Sequence, residues 1–138
     1  MDKQITMRDG TNLFCSISST DKKKWIVHTH GVGEYAARHE YLVELFGEQY
    51  NVVRYDLRGH GRSGGKKAWV QDFFDFLRDL DELLHHLKDE YRMKDYTLMG
   101  HSMGGEITCG YVQTFATDDL YPSKIIVTSP PANVGGPL

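Results

Sequence analysis

The chain has 138 residues, 40% of them hydrophobic and 25% charged, with a formal net charge of −3 and a negative mean hydropathy. That length suits one modest domain, and the nearly balanced charge, with no basic stripe and no long charge run, argues against a nucleic-acid partner and a charged tail. The N-terminus Met1-Asp2-Lys3-Gln4 lacks the apolar core of a signal peptide and no apolar run could span a bilayer, so a soluble, cytoplasmic protein is expected.

In chain order, Gln4 to Arg8 and Asn12 to Ser18 are short strands around Asp9-Gly10, a hairpin signal. Lys24 to Thr29 is an apolar strand ending at His30-Gly31, and Ala36 to Glu48 carries Tyr41, Leu42, Leu45 and Phe46 at helical spacing. Asn51 to Tyr55 repeats the strand signal, and a glycine-rich loop from Asp56 to Gly65 follows. Trp69 to Tyr91 is the longest predicted helix. Val70, Phe73, Phe74, Leu77, Leu80, Leu84 and Leu87 form its apolar face, and Arg78, Asp79, Asp81, Glu82 and Lys88 fall mostly opposite. Asp95 to Met99 is a strand, Glu106 to Phe115 a helix, and Lys124 to Thr128 a last strand stopped by Ser129-Pro130-Pro131. Two short strands followed by alternating strand and helix predict an α/β fold: a mostly parallel, doubly wound sheet with an antiparallel N-terminal hairpin. Cys15 and Cys109 match no metal or disulfide spacing and are expected to be small core residues.

The chemistry concentrates at Gly100-His101-Ser102-Met103-Gly104, a serine between glycines where a strand hands over to a helix. A sharp strand-to-helix turn forces the serine into a sparsely populated backbone conformation, and the residues two before and two after must be small for strand and helix to approach. In return the hydroxyl is lifted into the open at a helix N-terminus, whose N–H groups favour a developing negative charge. The pattern alone occurs by chance; a strand before it and a helix after it are the context a nucleophile elbow requires.

Three motifs in this order, His30-Gly31-Val32-Gly33-Glu34-Tyr35 with Arg38 after it, Asp56 to Ser63, and Gly100 to Gly105, resemble the α/β-hydrolase superfamily, within it the monoacylglycerol lipase and lysophospholipase branch with its related serine aminopeptidases. The resemblance runs from about Ile5 to Pro131. It implies a serine hydrolase of carboxylic esters with Ser102 as nucleophile and the backbone N–H groups of Met103 and Val32 as oxyanion donors. His30, Gly31, Gly100, His101 and Gly104 would support the motif, with His101 turned away from Ser102. It also implies that the loop carrying His60 and Ser63 is structural, that no cofactor is needed, and that the substrate is an ester or lipid-like small molecule.

The fold's triad runs Ser, then Asp or Glu, then His along the chain, yet all seven histidines precede Ser102. Asp118 and Asp119 follow it but read as solvated charges at a helix end. Residues 1–138 are thus expected to be the N-terminal portion of a hydrolase domain. A complementary C-terminal half, as a second chain or a missing segment, would hold the acid, the base and a lid capable of peripheral membrane contact. The Lys124 to Thr128 strand would then be an unpaired apolar edge. Two rivals remain: a metal site on His28-Thr29-His30, and a hydrolase-fold module used for binding or assembly.

Overall fold

The computed structural model describes residues 1–67 and 72–130. Six strands, β1 (Asp2–Thr6), β2 (Asn12–Ile17), β3 (Lys24–Thr29), β4 (Tyr50–Tyr55), β5 (Asp95–His101) and β6 (Lys124–Thr128), form one sheet in the order β1-β2-β4-β3-β5-β6. β1 pairs antiparallel with β2 and β2 with β4, whereas β3 pairs parallel with β4 and β5, and β5 with β6. The expected antiparallel hairpin leading into a parallel sheet is present. β3 and β5 are central and covered on both faces, which is why their sequences are nearly continuous apolar runs rather than alternating ones.

Side-chain alternation splits the core in two. Trp25, Val27, Val53, Tyr55, Tyr96 and Leu98 point to one face, where α2 (Phe73–Tyr91) and α3 (Met103–Thr114) pack, and Ile26, Val52 and Met99 point to the other, beneath Leu42 of α1 (Tyr41–Phe46). The first cluster is much the larger. Each of Leu80, Leu83, Leu84 and Leu87 of α2 is fully buried there, worth about 1.5–3 kcal/mol apiece relative to exposure.

Several elements depart from the sequence reading. The helix expected over Ala36 to Glu48 is a 3-10 turn, Ala36–His39, followed by the short α1. The Ala36 N–H, which has no intrahelical partner at the start of a helix, donates to the Asp56 carboxylate at 2.6 Å. α2 begins at Phe73, capped by Asp72, whose carboxylate accepts the Phe74 N–H at 2.9 Å, and ends at Arg92 in a left-handed conformation. Trp69 and Val70 lie outside the described residues. Phe73 and Phe74, expected in its apolar stripe, are exposed, and Phe76 and Leu83 take their place. α3 starts at Met103 because Gly104 and Gly105 form its first turn, pressed against the sheet. Cys15 is buried as expected, but Cys109 is exposed, on the side of α3 away from the core. No helix among the described residues is long and apolar enough to cross a membrane.

Asp79 is the clearest correction. Placed on the polar face by its charge, it is 1% exposed. Arg58 grips it with two hydrogen bonds, Nε at 2.7 Å and Nη2 at 2.8 Å, while Nη2 also reaches Asp9 at 2.8 Å. The pair ties the loop after β4 to the middle of α2. Removing one partner of a buried ion pair leaves a charge without compensation, so Arg58→Met is expected to lower the unfolding free energy in urea by about 3–5 kcal/mol, with Arg58→Met/Asp79→Leu recovering most of it. A single variant as stable as the parent chain would contradict this.

Candidate active site at the strand ends

All four parallel strands end at the same edge of the sheet, and the turns that follow converge there. At the β5 to α3 corner, Ser102 has φ 57 and ψ −123, a region costing roughly 1–3 kcal/mol for a residue with a side chain. Neighbouring contacts hold it there. The Ser102 N–H donates to Thr128 O of β6 at 2.9 Å, and the Gly105 N–H donates to Ser102 O at 2.9 Å. A Cβ at Gly100 would run into the Gly104 backbone, and one at Gly104 into the Thr29 and His30 carbonyls, so only glycines allow strand and helix this close. The Ser102 side chain caps no helical N–H and is partly exposed, which leaves its hydroxyl uncommitted beside the first N–H of α3, that of Met103.

The turn after β3 forms the opposite wall. Gly31 packs against the serine: a Cβ there would lie 3.1 Å from Ser102 Cβ. The Glu34 N–H donates to Gly31 O at 3.2 Å, closing a turn over Val32 and Gly33, and Val32 is 59% exposed beside the corner. His30 anchors this wall from below. Its Nε2 accepts the Leu57 N–H at 2.9 Å, so the ring proton sits on Nδ1, which donates to Gly31 O at 2.6 Å. Burial pushes the imidazole down to about 4, keeping it neutral at physiological pH. Asp56 links the neighbouring loops, its carboxylate accepting the Ala36 N–H at 2.6 Å and the Arg62 N–H at 2.8 Å.

The structure therefore brings together Ser102, Met103, Gly31, Val32, Gly100 and Gly104, and puts His30 behind them. His101 lies on the sheet face opposite Gly100, with Nδ1 2.9 Å from Thr128 Oγ1 and its ring 5.3 Å from that of His39. Sequence reasoning assigned no role to Glu34 or His39. The Glu34 carboxylate accepts the Gly31 N–H at 2.8 Å and lies 3.5 Å from His39 Nε2. The three-residue spacing of Gly31 and Glu34 was the available signal; nothing local pointed to His39.

Other candidates sit elsewhere. His60 Nδ1 donates to Arg58 O at 3.0 Å, and Ser63 Oγ donates to Asp56 O at 2.6 Å while accepting the Phe14 N–H, so both bond within their own loop and to β2. Asp119 pairs with Lys88 at 2.6 Å on the surface. The His28 ring lies tilted 4.3 Å from that of His39 while His30 faces Leu57, and among the described residues no group of His, Cys, Asp or Glu is disposed to hold a metal ion. A cavity of about 620 Å³ lined by Met7, Arg58, Asp79, His85 and His86 shares no residue with the Ser102 corner.

The family described as serine aminopeptidase, S33, matches residues 20–137, and the chain belongs to it. A monoacylglycerol lipase from Mycolicibacterium smegmatis is 33% identical over 83% of this chain and 40% of its own length. The human monoglyceride lipase is 37% identical over 72% of the chain and 34% of its own. An esterase from Exiguobacterium antarcticum superposes with a TM-score of 0.80 at 27% identity, covering 94% of this chain and 46% of that one. A monoacylglycerol lipase from Paleococcus ferrophilus gives 0.70 at 28% identity, over 86% and 43%. The fold is that of the α/β hydrolases, and the chain spans about two fifths of the length of the curated relatives it matches.

The buried histidines make the site acid-sensitive. His28, His30 and His39 all have values lowered mainly by burial, so the unfolded chain binds more protons than the folded one as pH falls through 6.5 towards 4. Their contribution to stability is complete above pH 6.5 and is lost on acidification, by up to about 1.4 kcal/mol per pH unit for each proton taken up. Carboxyls raised by burial, Asp79 and Asp81, work in the opposite direction, so the comparison is made with a variant. Urea unfolding between pH 6.5 and 4.5 is expected to show a shallower pH slope for His30→Gln than for the parent chain. Equal slopes would contradict a neutral, buried His30.

Proposed function

We propose that the chain carries the nucleophile and oxyanion site of a serine carboxylic-ester hydrolase acting on monoacylglycerol or lysophospholipid-type substrates. The observation that carries this reading is the positive-φ Ser102, its hydroxyl free at the start of α3 and its Cβ against Gly31. Family membership and lipases and esterases among the relatives support the ester class.

In the mechanism, Ser102 Oγ attacks the ester carbonyl carbon as a base takes its proton, and the carbonyl π pair moves onto oxygen. The Met103 and Val32 N–H groups receive that oxyanion, each donor being worth about 3–4 kcal/mol in the transition state. The oxyanion collapses, the alcohol leaves with the proton, and an acyl-serine remains. Water, deprotonated by the same base, attacks the acyl-serine, releasing the carboxylic acid and returning the proton to Oγ. No histidine follows Ser102 in the sequence, so the base and its carboxylate partner come from polypeptide outside residues 1–138. Its docking place is the β6 edge of the sheet, where Ile125 and Ile126 are 42% and 40% exposed. That same polypeptide would carry the lid and any surface that meets a membrane. The exposed Ile125 and Ile126 on the edge strand favour one second reading, a hydrolase-fold module used for assembly alone.

A fluorophosphonate probe separates the two. The protein isolated from its own source under native conditions is expected to take the probe on Ser102, with no adduct in Ser102→Ala. Residues 1–138 expressed alone are expected to react more than about a thousandfold more slowly, having the serine but no base. Equal reactivity of the isolated chain would contradict an external base. A native preparation without an adduct would contradict the nucleophile and favour the assembly module.

A further inference from the structure

The polar cluster beside the serine is larger than the proposed chemistry uses. Glu34 Oε1 accepts the Gly31 N–H at 2.8 Å, and His39 Nε2 lies 3.5 Å from the same oxygen. His39 is 4% exposed, its other nitrogen 3.0 Å from the Tyr41 hydroxyl, its ring between those of His28 and His101. The Glu34 carboxylate also sits where a Gly31 Cβ would lie 3.1 Å from it and 3.1 Å from Ser102 Cβ, so it touches the same backbone unit as the serine. With its N–H directed to Glu34, Gly31 does not offer that group to a substrate, and the next N–H in the turn is that of Val32.

We infer that Glu34 is a positioning residue of the Ser102 site: by holding the Gly31 N–H on one side and His39 on the other, its carboxylate fixes the turn that presents the Val32 N–H to the serine. The inference rests on the reading of Val32 as an oxyanion donor. Charge supports it. Burial alone would raise the Glu34 carboxyl, but the Gly31 N–H, His39 and His101 together hold it below the usual range. His39 and His101 face Glu34, and Glu34, His28, His101 and Arg54 face His39. Glu34 stays ionised through neutral pH, and the hold on Gly31 weakens as pH falls through the depressed Glu34 value.

Two variants and two readouts test this. In the native protein, Glu34→Ala is expected to slow fluorophosphonate labelling of Ser102 by about 10–100-fold, since a donor displaced by an ångström forfeits rates of that order. Glu34→Gln keeps an oxygen for the Gly31 N–H and is expected to stay within about threefold of the parent rate. In the ¹⁵N-labelled native protein, the Gly31 amide proton shift is expected to follow the acid titration of Glu34, and to lose that step in Glu34→Gln. Parent-like labelling of Glu34→Ala, or a Gly31 shift flat with pH in the parent chain, would overturn the inference. If Glu34→Ala does not fold, the Gln variant and the Gly31 titration still decide it. A parent protein that takes no probe would overturn the nucleophile reading and this inference with it, whereas a labelled parent with an unaffected Glu34→Ala overturns the inference alone.

Discussion

The approach of α3 to the ends of β3 and β5 governs the rest of the site. A helix that starts within one residue of the strand feeding it has to turn its backbone through a conformation side chains avoid, and Ser102 occupies that point with φ 57. The strain persists because surrounding contacts over-determine it. Thr128 O takes the Ser102 N–H, and the glycines at 100 and 104 let helix and strand backbones meet where any Cβ would clash. The consequence is chemical: a hydroxyl that would ordinarily cap a helix is left without a local partner next to free N–H groups. Because β6 supplies Thr128, the corner is braced by the edge strand, so whatever pairs with that edge acts one hydrogen bond from the serine.

The same constraint explains the polar material behind the corner. Gly31 has to lie against Ser102, so the turn after β3 needs its own fixing points, and two side chains supply them, one buried and one half-buried. His30 joins the turn to Leu57 from below, and Glu34 holds the Gly31 N–H from above. The His30 ring has to be neutral to accept the Leu57 N–H, and the Gly31 N–H needs an acceptor oxygen at position 34.

Much of this was legible in the sequence, and the rest was lost for identifiable reasons. Strand positions, the hairpin at Asp9-Gly10 and the Ser102 corner follow from local signals: apolar runs, turn dipeptides and glycine spacing. Asp79 was misread because its partner Arg58 is 21 positions away, and periodicity assigns a charged residue to solvent unless the partner is known. Phe73 and Phe74 were misread because an apolar stripe fixes a helix face to within one residue, not which end reaches the core. The 3-10 turn over Ala36–His39 escaped periodicity because residues spaced by three and four suit both helix types. Glu34 stood within a quoted motif, but its carboxylate matters only once the turn closes onto Gly31.

The central claim, that the turn after β3 and the start of α3 converge on one serine, is tested most directly by a crystal structure of the native protein after phosphonylation. The account predicts phosphorus bonded to Ser102 Oγ, with the phosphoryl oxygen about 2.7–3.1 Å from the backbone nitrogens of both Val32 and Met103. A phosphoryl oxygen turned away from those two nitrogens, or an adduct on any other residue, would contradict it.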